Sequence, residues 1–279
     1  MERKLAPWLY LALPLLLLVA FFLLPMGMAF VLSLKDYSHA LYAPPFAGLL
    51  NYRVLFSSAH FWQVLLNTAL FTVLVVPAMI ILPIPVAVLV NQPFKGMPIF
   101  RILIYLPVVV SLVVAGIAWK WLYQSNGGMN WLVSPNTALL AVAIMVVWKG
   151  LGYYMMIYLA NLQSASNELY EAAEIDGAGL LQKHWYVTMP HLRPAMALVA
   201  IISTIGALKV FTEIYVMTRG GPVGSTETLV YYIYDQAFGN LNLGLACAAG
   251  FILMLVIFGL SLLNIKYFYL KAEKEALNA

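Results

Sequence analysis

What most constrains this chain is a series of apolar runs without Asp, Glu, Lys or Arg, each long enough to cross a bilayer. Phe61 to Phe94 continues for 34 residues in this way, and Leu5 to Leu34 does so for 30 between Arg3-Lys4 and Lys35-Asp36. A hydrocarbon core of about 30 Å needs roughly 20 helical residues rising about 1.5 Å each. Further runs lie between Arg101 and Lys120, beyond the polar turn Ser125-Asn126-Gly127-Gly128, from Pro194, and from Asn242. The reading is six spans, at 9–34, 64–91, 101–122, 138–162, 194–217 and 242–266, in one all-α transmembrane domain covering 1–279. The first run has a short basic start like that of a signal sequence. It is too long for one and lacks a small-residue exit, so a retained helix is expected.

Composition agrees. Charged residues are 9% and hydrophobic ones 63%, against about 25% and 45–50% in soluble domains. That much apolar surface cannot be hidden in one core of this size, which excludes a soluble enzyme and a disordered chain. The net charge of +4 is carried by single Lys and Arg residues at the ends of apolar runs, with no basic stretch for nucleic acid. A lone cysteine, Cys247, leaves no intramolecular disulfide or cysteine metal cluster.

Basic residues give a sense to the spans. With both ends inside, inner segments hold nine (Arg3, Lys4, Lys95, Arg101, Lys183, Arg193, Lys266, Lys271, Lys274) and outer segments four (Lys35, Arg53, Lys120, Arg219). That bias places both termini in the cytoplasm. Trp8, Tyr10, Trp119, Trp121, Tyr123, Tyr267 and Tyr269 sit near span ends, as an interfacial belt requires. Pro77, Pro83, Pro85 and Pro107, with Gly150 and Gly152, interrupt three spans. A proline frees a carbonyl that hydrocarbon cannot satisfy, so these points face other helices or a watery cavity. Kinks around a pathway and ordinary irregularity both fit. Ala246 and Gly250 form a small-xxx-small pair of the kind found at close helix contacts.

The longest inner loop, 164–190, holds four of the eleven acids within nine residues: Glu168, Glu171, Glu174 and Asp176. Asn167 as N-cap, acids in the first turn and Gly177 as a stop predict a short helix. A second amphipathic piece, Leu180 to Val187, carries Trp185 and ends before Pro190. Ala172 and Ala173 leave one face without bulk, which suits a docking partner.

Glu171-Ala172-Ala173, Gly177, Val187 and Met189-Pro190 resemble, at their spacing, the EAA loop of permease subunits of binding-protein-dependent ABC importers. Asp176-Gly177-Ala178 is similar to the form found in carbohydrate-type importers. Val187 stands for the usual isoleucine, Met189 for leucine, and His184 where phenylalanine is common. Tyr215-Val216-Met217-Thr218-Arg219-Gly220-Gly221-Pro222, Ser225-Thr226-Glu227-Thr228-Leu229 and Tyr231-Tyr232-Ile233-Tyr234 resemble the outer loop of the maltose and glycerol-3-phosphate permease subunits. The resemblance implies a type I importer fold and a heterodimer with a second permease. It also implies an ATPase dimer gripping Glu171, Ala172, Ala173, Asp176, Gly177, Ala178 and Pro190, and an extracytoplasmic binding protein delivering solute. ATP and magnesium would sit on the ATPase, and no cofactor on this chain. Sugars, polyols and glycerol phosphates are the solutes of such importers.

Lys209 and Glu213, four apart in the fifth span, are expected on one helix face and able to pair. They either line the solute pathway, with Tyr215 offering an aromatic face, or brace helices. Charge at membrane depth usually faces a bundle interior or a watery path. Lys149 has no acid near it in sequence. Two other functions compete. An ion-coupled secondary transporter would need acids or histidines in several spans, and Glu213 is the clear one. An intramembrane enzyme would need metal or triad spacing, and neither occurs: His39, His60, His184 and His191 are scattered, and no HExxH is present. GxxxxGK[ST] is also absent, so this chain cannot be the ATPase.

Overall fold

The computed structural model describes residues 2–37, 44–125 and 131–277, and of residues 2–9, 125, 167 and 267–277 the backbone alone. His39 and the Asn126-Gly127-Gly128 turn lie outside it. The described residues form helices and one isolated antiparallel bridge, Lys35 with Phe46. In chain order these are α1 (Glu2–Leu18, a π turn at Val19–Leu23, then Leu24–Ser33), α2 (Leu50–Ser57) and α3 (Ala59–Ile81 continuing as Pro83–Val90). Then follow α4 (Met97–Val109), α5 (Leu112–Ser125), α6 (Pro135–Leu162), α7 (Asn167–Ile175) and α8 (Leu180–Lys183, a π turn at His184–Thr188, then Met189–Leu208). The last are α9 (Thr212–Met217), α10 (Leu229–Tyr234) and α11 (Leu243–Leu277).

Among the described residues five helices, α1, α3, α6, α8 and α11, are long and apolar enough to cross a membrane, and α4 with α5 make a sixth if the bent pair is one span. The third expected span is therefore not straight: α4 and α5 meet at 94°. Two more expectations change. Leu180 to Val187 is no separate piece but the start of α8. In its widened turn the Met189 N–H bonds back to His184 O, and the helix runs on past Pro190. The fifth span ends at Leu208; Lys209 caps it, Phe211 turns out of the helix at φ −142°, and α9 begins afresh.

The chain divides into two compact units. In the first (Met1–Trp62 with Tyr232–Met254), Asn51 Nδ2 donates to Ser33 O and Lys35 O, both at 2.8 Å, closing the end of α1. Gly244 lets the start of α11 lie against this cap: a Cβ there would be 2.8 Å from Asn51 Nδ2 and would overlap Lys35 O. Phe30 meets Phe251 edge-on at 5.2 Å. The rest of α1 is exposed, with Phe21 and Phe22 both above 70%.

In the second unit (Gln63–Tyr231 with Leu255–Ala279) the core is built from α3, α6, α8 and α9, with Phe71, Val75, Met145, Met155, Tyr158, Leu192 and Ile214 buried. The prolines of α3 and the helix ends leave carbonyls without helical partners, and side chains supply them. Tyr158 Oη donates to Ile80 O at 3.0 Å beside the proline break. Arg101 donates through Nε and Nη2 to Val90 O at 3.1 and 2.7 Å, closing α3. His191 Nε2 and Asn161 O, 2.9 Å apart, close α6 in the same way.

Candidate functional site

The segment expected from sequence to dock a partner folds as α7 and the first turns of α8. Ser166 is the N-cap rather than the expected Asn167: its hydroxyl accepts from Glu168 N at 3.2 Å, one residue earlier than the reading placed it. Asn167 is the first helical residue. At the other end Gly177 takes φ +78°, Gly177 N donates to Glu174 O at 3.0 Å and Ala178 N to Ala173 O at 2.9 Å. This is the paired 5→2 and 6→1 pattern of a Schellman stop, which a Cβ at the left-handed position would strain. Gly179 N donates to Gln182 Oε1 at 2.8 Å and restarts the chain as α8.

Two clips hold α7 on α8. Tyr170 Oη and Thr188 Oγ1 are 3.2 Å apart, and Lys183 Nζ donates to Glu174 Oε1. Ala173 and Tyr170 face inward, half-buried, whereas Glu171 and Ala172 are exposed. The two alanines, about 100° apart on a helix, therefore divide: one fits α7 to the protein and the other is presented outward. The same segment that carries Glu168, Glu171 and Asp176 also bares apolar side chains, Ile175 at 86%, Leu181 at 83% and Trp185 at 68% exposure. Exposed apolar side chains interleaved with acids on a doubly clipped hairpin have the composition of a protein-binding surface. Pro190 is exposed in α8 beyond the widened turn.

The second feature is a cleft of about 260 Å³ among α3, α4, α5, α6, α8 and α9, lined by Met79, Val108, Leu112, Lys149, Tyr153, Tyr154, Ser203 and Glu213. Of Lys209, Glu213 and Tyr215, it receives Glu213. The expected Lys209–Glu213 face does not exist, because α8 ends at Leu208, a new helix begins at Thr212, and the i,i+4 register is lost between them. Lys209 is exposed at the α8 C-cap. Tyr215, two residues on from Glu213 and so on the far side of α9, joins Phe211 at 5.6 Å and Tyr231 at 6.5 Å. Glu213 instead meets the backbone amides of Phe211 and itself, and interacts electrostatically with Lys149. Lys149 carried no role in the sequence reading. The signal was there: one cation inside an apolar run, directly before Gly150-Leu151-Gly152.

The stretch 218–228, which carries the second sequence match, is pinned to α3. Asn67 Nδ2 donates to Gly224 O and Glu227 O at 2.8 and 3.0 Å, and Thr68 Oγ1 accepts from Leu229 N at 2.9 Å. Thr226 Oγ1 lies 2.7 Å from both Thr218 Oγ1 and Gly221 O, and Thr228 Oγ1 donates to Val210 O at 3.1 Å. Asn67 and Thr68 were not singled out from sequence, although two adjacent polar side chains within an apolar run marked the place. Among the described residues no group of three or more His, Cys, Asp or Glu could hold a metal ion.

Long apolar helices, several of them broken, with a cleft among those of the second unit, define the class as a multi-pass helical membrane protein. The chain belongs to the family of binding-protein-dependent transport system inner membrane components, whose model matches residues 47–268. It is thus a permease subunit of an ABC importer, a multi-pass protein of the inner membrane. It is 32% identical over 292 residues to the probable ABC transporter permease protein YurN of Bacillus subtilis (strain 168), covering 98% of this chain and 99% of that protein. It is 34% identical to the lactose transport system permease protein LacF of Rhizobium radiobacter, covering 96% and 94%. The same identity relates it to the trehalose/maltose transport system permease protein MalF of Thermococcus litoralis, over 83% and 82%. In fold it matches, with TM-score 0.83, 21% identity and 96% of both chains covered, a chain of a bacterial ABC transporter involved in the import of the acidic polysaccharide alginate.

Proposed function

We propose that this chain is one of two permease subunits in an ATP-driven importer of a sugar, polyol or glycerol-phosphate-like solute, and that it engages the ATPase through the 164–190 hairpin. Both termini are cytoplasmic in this reading, on the same side as the hairpin, following the nine-to-four bias of basic residues. An extracytoplasmic binding protein hands solute to the permease pair. ATP and magnesium belong to the ATPase dimer, and ATP binding shifts the permease between two access states by gripping one of them better. Relatives named for lactose and for trehalose and maltose support the solute class.

The observation that carries the coupling reading is the α7 hairpin: capped at both ends, clipped to α8, and presenting Glu171, Ala172, Ile175 and Leu181 outward. A lever must be stiff and must offer a face, and this one does both. Glu213 and the tyrosines of the cleft are its solute-facing groups, able to accept and donate hydrogen bonds to hydroxyls. The test is uptake into vesicles carrying the whole importer, with proton and sodium gradients collapsed by ionophores. ATP-dependent uptake is expected to continue. Loss of uptake with ATP still present would instead identify an ion-coupled secondary transporter. The solute is found by asking which sugar or polyol protects the cognate binding protein from heat.

A further inference from the structure

The bend between α4 and α5 leaves an unusual amount of main chain to be satisfied. The last four carbonyls of a helix have no partner within it. Here the chain leaves α4 at Val109, passes Val110 in extended conformation (ψ 135°) and turns 94° into α5. Lys149, projecting from the middle of α6, answers this break. Its Nζ donates to Pro107 O at 3.2 Å, Val108 O at 3.1 Å and Val110 O at 2.8 Å. An ammonium has three protons and these three carbonyls take them all, and a cation is also favoured by the negative end of the helix dipole. One turn along the same face of α6, Gly152 brings the two helices into main-chain contact: a Cβ there would lie 2.9 Å from Tyr105 Cα. Lys149 is thus held at the α4 terminus by a close crossing as well as by its own bonds.

Where the ammonium sits also shapes the cleft. Lys149 and Glu213 are both in its wall, together with Val108 and Leu112 on either side of the bend. Were α4 and α5 a straight helix, the carbonyls of Pro107 and Val108 would bond to N–H groups further along and Lys149 would lose its acceptors.

We propose that Lys149 is a positioning residue that keeps the α4–α5 break bent and so holds open the cleft beside Glu213. Its role as a solute path rests on the reading given above. Its three donors are spent on main chain. Solute hydroxyls are therefore left to Glu213 and the tyrosines of the cleft.

The test uses the complete importer in lipid vesicles with Cys247→Ser and spin labels at Phe100→Cys and Trp121→Cys, both exposed positions. Two arms of about ten residues each, at about 1.5 Å per residue, put the labelled backbones roughly 20 Å apart when bent and roughly 30 Å apart when straight. Lys149→Arg is expected to keep the short distance and uptake within about threefold. Lys149→Met is expected to lengthen or broaden the distance and to lower uptake at least tenfold while ATP hydrolysis continues. Lys149→Gln, which keeps an amide donor, replaces Lys149→Met should that variant fail to assemble, and is expected to fall between the two. Glu213→Gln is expected to leave the distance unchanged, because carbonyls and not the carboxylate hold the bend. An unaltered distance in both Lys149→Met and Lys149→Gln overturns the proposal. A lengthened distance with normal uptake upholds the positioning role and removes the cleft from the solute path.

Discussion

Gly152 of α6 lies so close to the main chain of Ile104 in α4 that no methyl group fits between them. The contact is backbone against backbone, which cannot rotate away, and it sets how near α4 and α6 cross. Gly150, two residues back and so about 200° round the helix, faces the flexible end of Met79, where a Cβ would be 2.5 Å from Cε. Gly152→Ala is therefore expected to destabilise the purified complex by about 1–3 kcal/mol, as overpacking does, and Gly150→Ala by clearly less. Thermal unfolding of the two variants side by side checks the order, and equal shifts would contradict it.

Asn67 is buried in α3 and supplies both donors of its amide to Gly224 O and Glu227 O. Removing it strands two carbonyls, at about 1–3 kcal/mol for buried unsatisfied groups. Asn67→Ala is expected to speed hydrogen exchange across 218–229 more than anywhere else in the chain. Thr68→Val, which leaves the Leu229 N–H without its acceptor, is expected to do the same more weakly.

Gly177 has open space around the position of a Cβ, yet its φ of +78° belongs to the left-handed region. Gly177→Ala therefore costs conformational strain of about 1–2 kcal/mol and no packing. Because α7 is short, that strain is expected to fray its C-terminal turn and cut ATP-coupled uptake severalfold. The melting temperature of the transmembrane part should hardly move. Limited proteolysis between 175 and 180 reads the fraying directly.

Glu171→Ala and Glu174→Ala separate docking from folding. Glu171 is exposed on the outward face of α7, whereas Glu174 takes a hydrogen bond from Lys183 Nζ. Glu171→Ala is expected to weaken co-purification of the ATPase with no loss of thermal stability. Glu174→Ala, losing an exposed ion pair worth about 0.2–1 kcal/mol, is expected to loosen the hairpin while leaving the outward face in place. Unchanged assembly and coupling in both Glu171→Ala and Gly177→Ala would remove the coupling role from this hairpin.

Much of this was legible along the chain. The apolar runs between charged residues marked the spans, because a bilayer imposes length and apolarity locally. The cluster of acids at 168, 171, 174 and 176 with Gly177 marked the hairpin, because caps and stops are written in adjacent residues. The pairing expected for Lys209 and Glu213 assumed one unbroken helix. It failed because nothing nearby in sequence announces that Leu208 ends α8, a break supported by Thr228 Oγ1 on Val210 O from eighteen residues away. Asn167 was misplaced by one position, since Ser166 and Asn167 are both competent caps and the local fold chose the first.

By itself, the sequence determined a helical membrane protein, the location of its acidic helical hairpin and the few charges within apolar runs, since each follows from chemistry between near neighbours. Tertiary structure decided which carbonyls each proline and helix end left open and which distant side chain closed them: Tyr158 for Ile80, Arg101 for Val90, Lys149 for the α4–α5 break. The reason is that hydrocarbon offers no hydrogen bonds. Every such partner must come from another helix, and the crossing that brings it there is a property of the packed bundle.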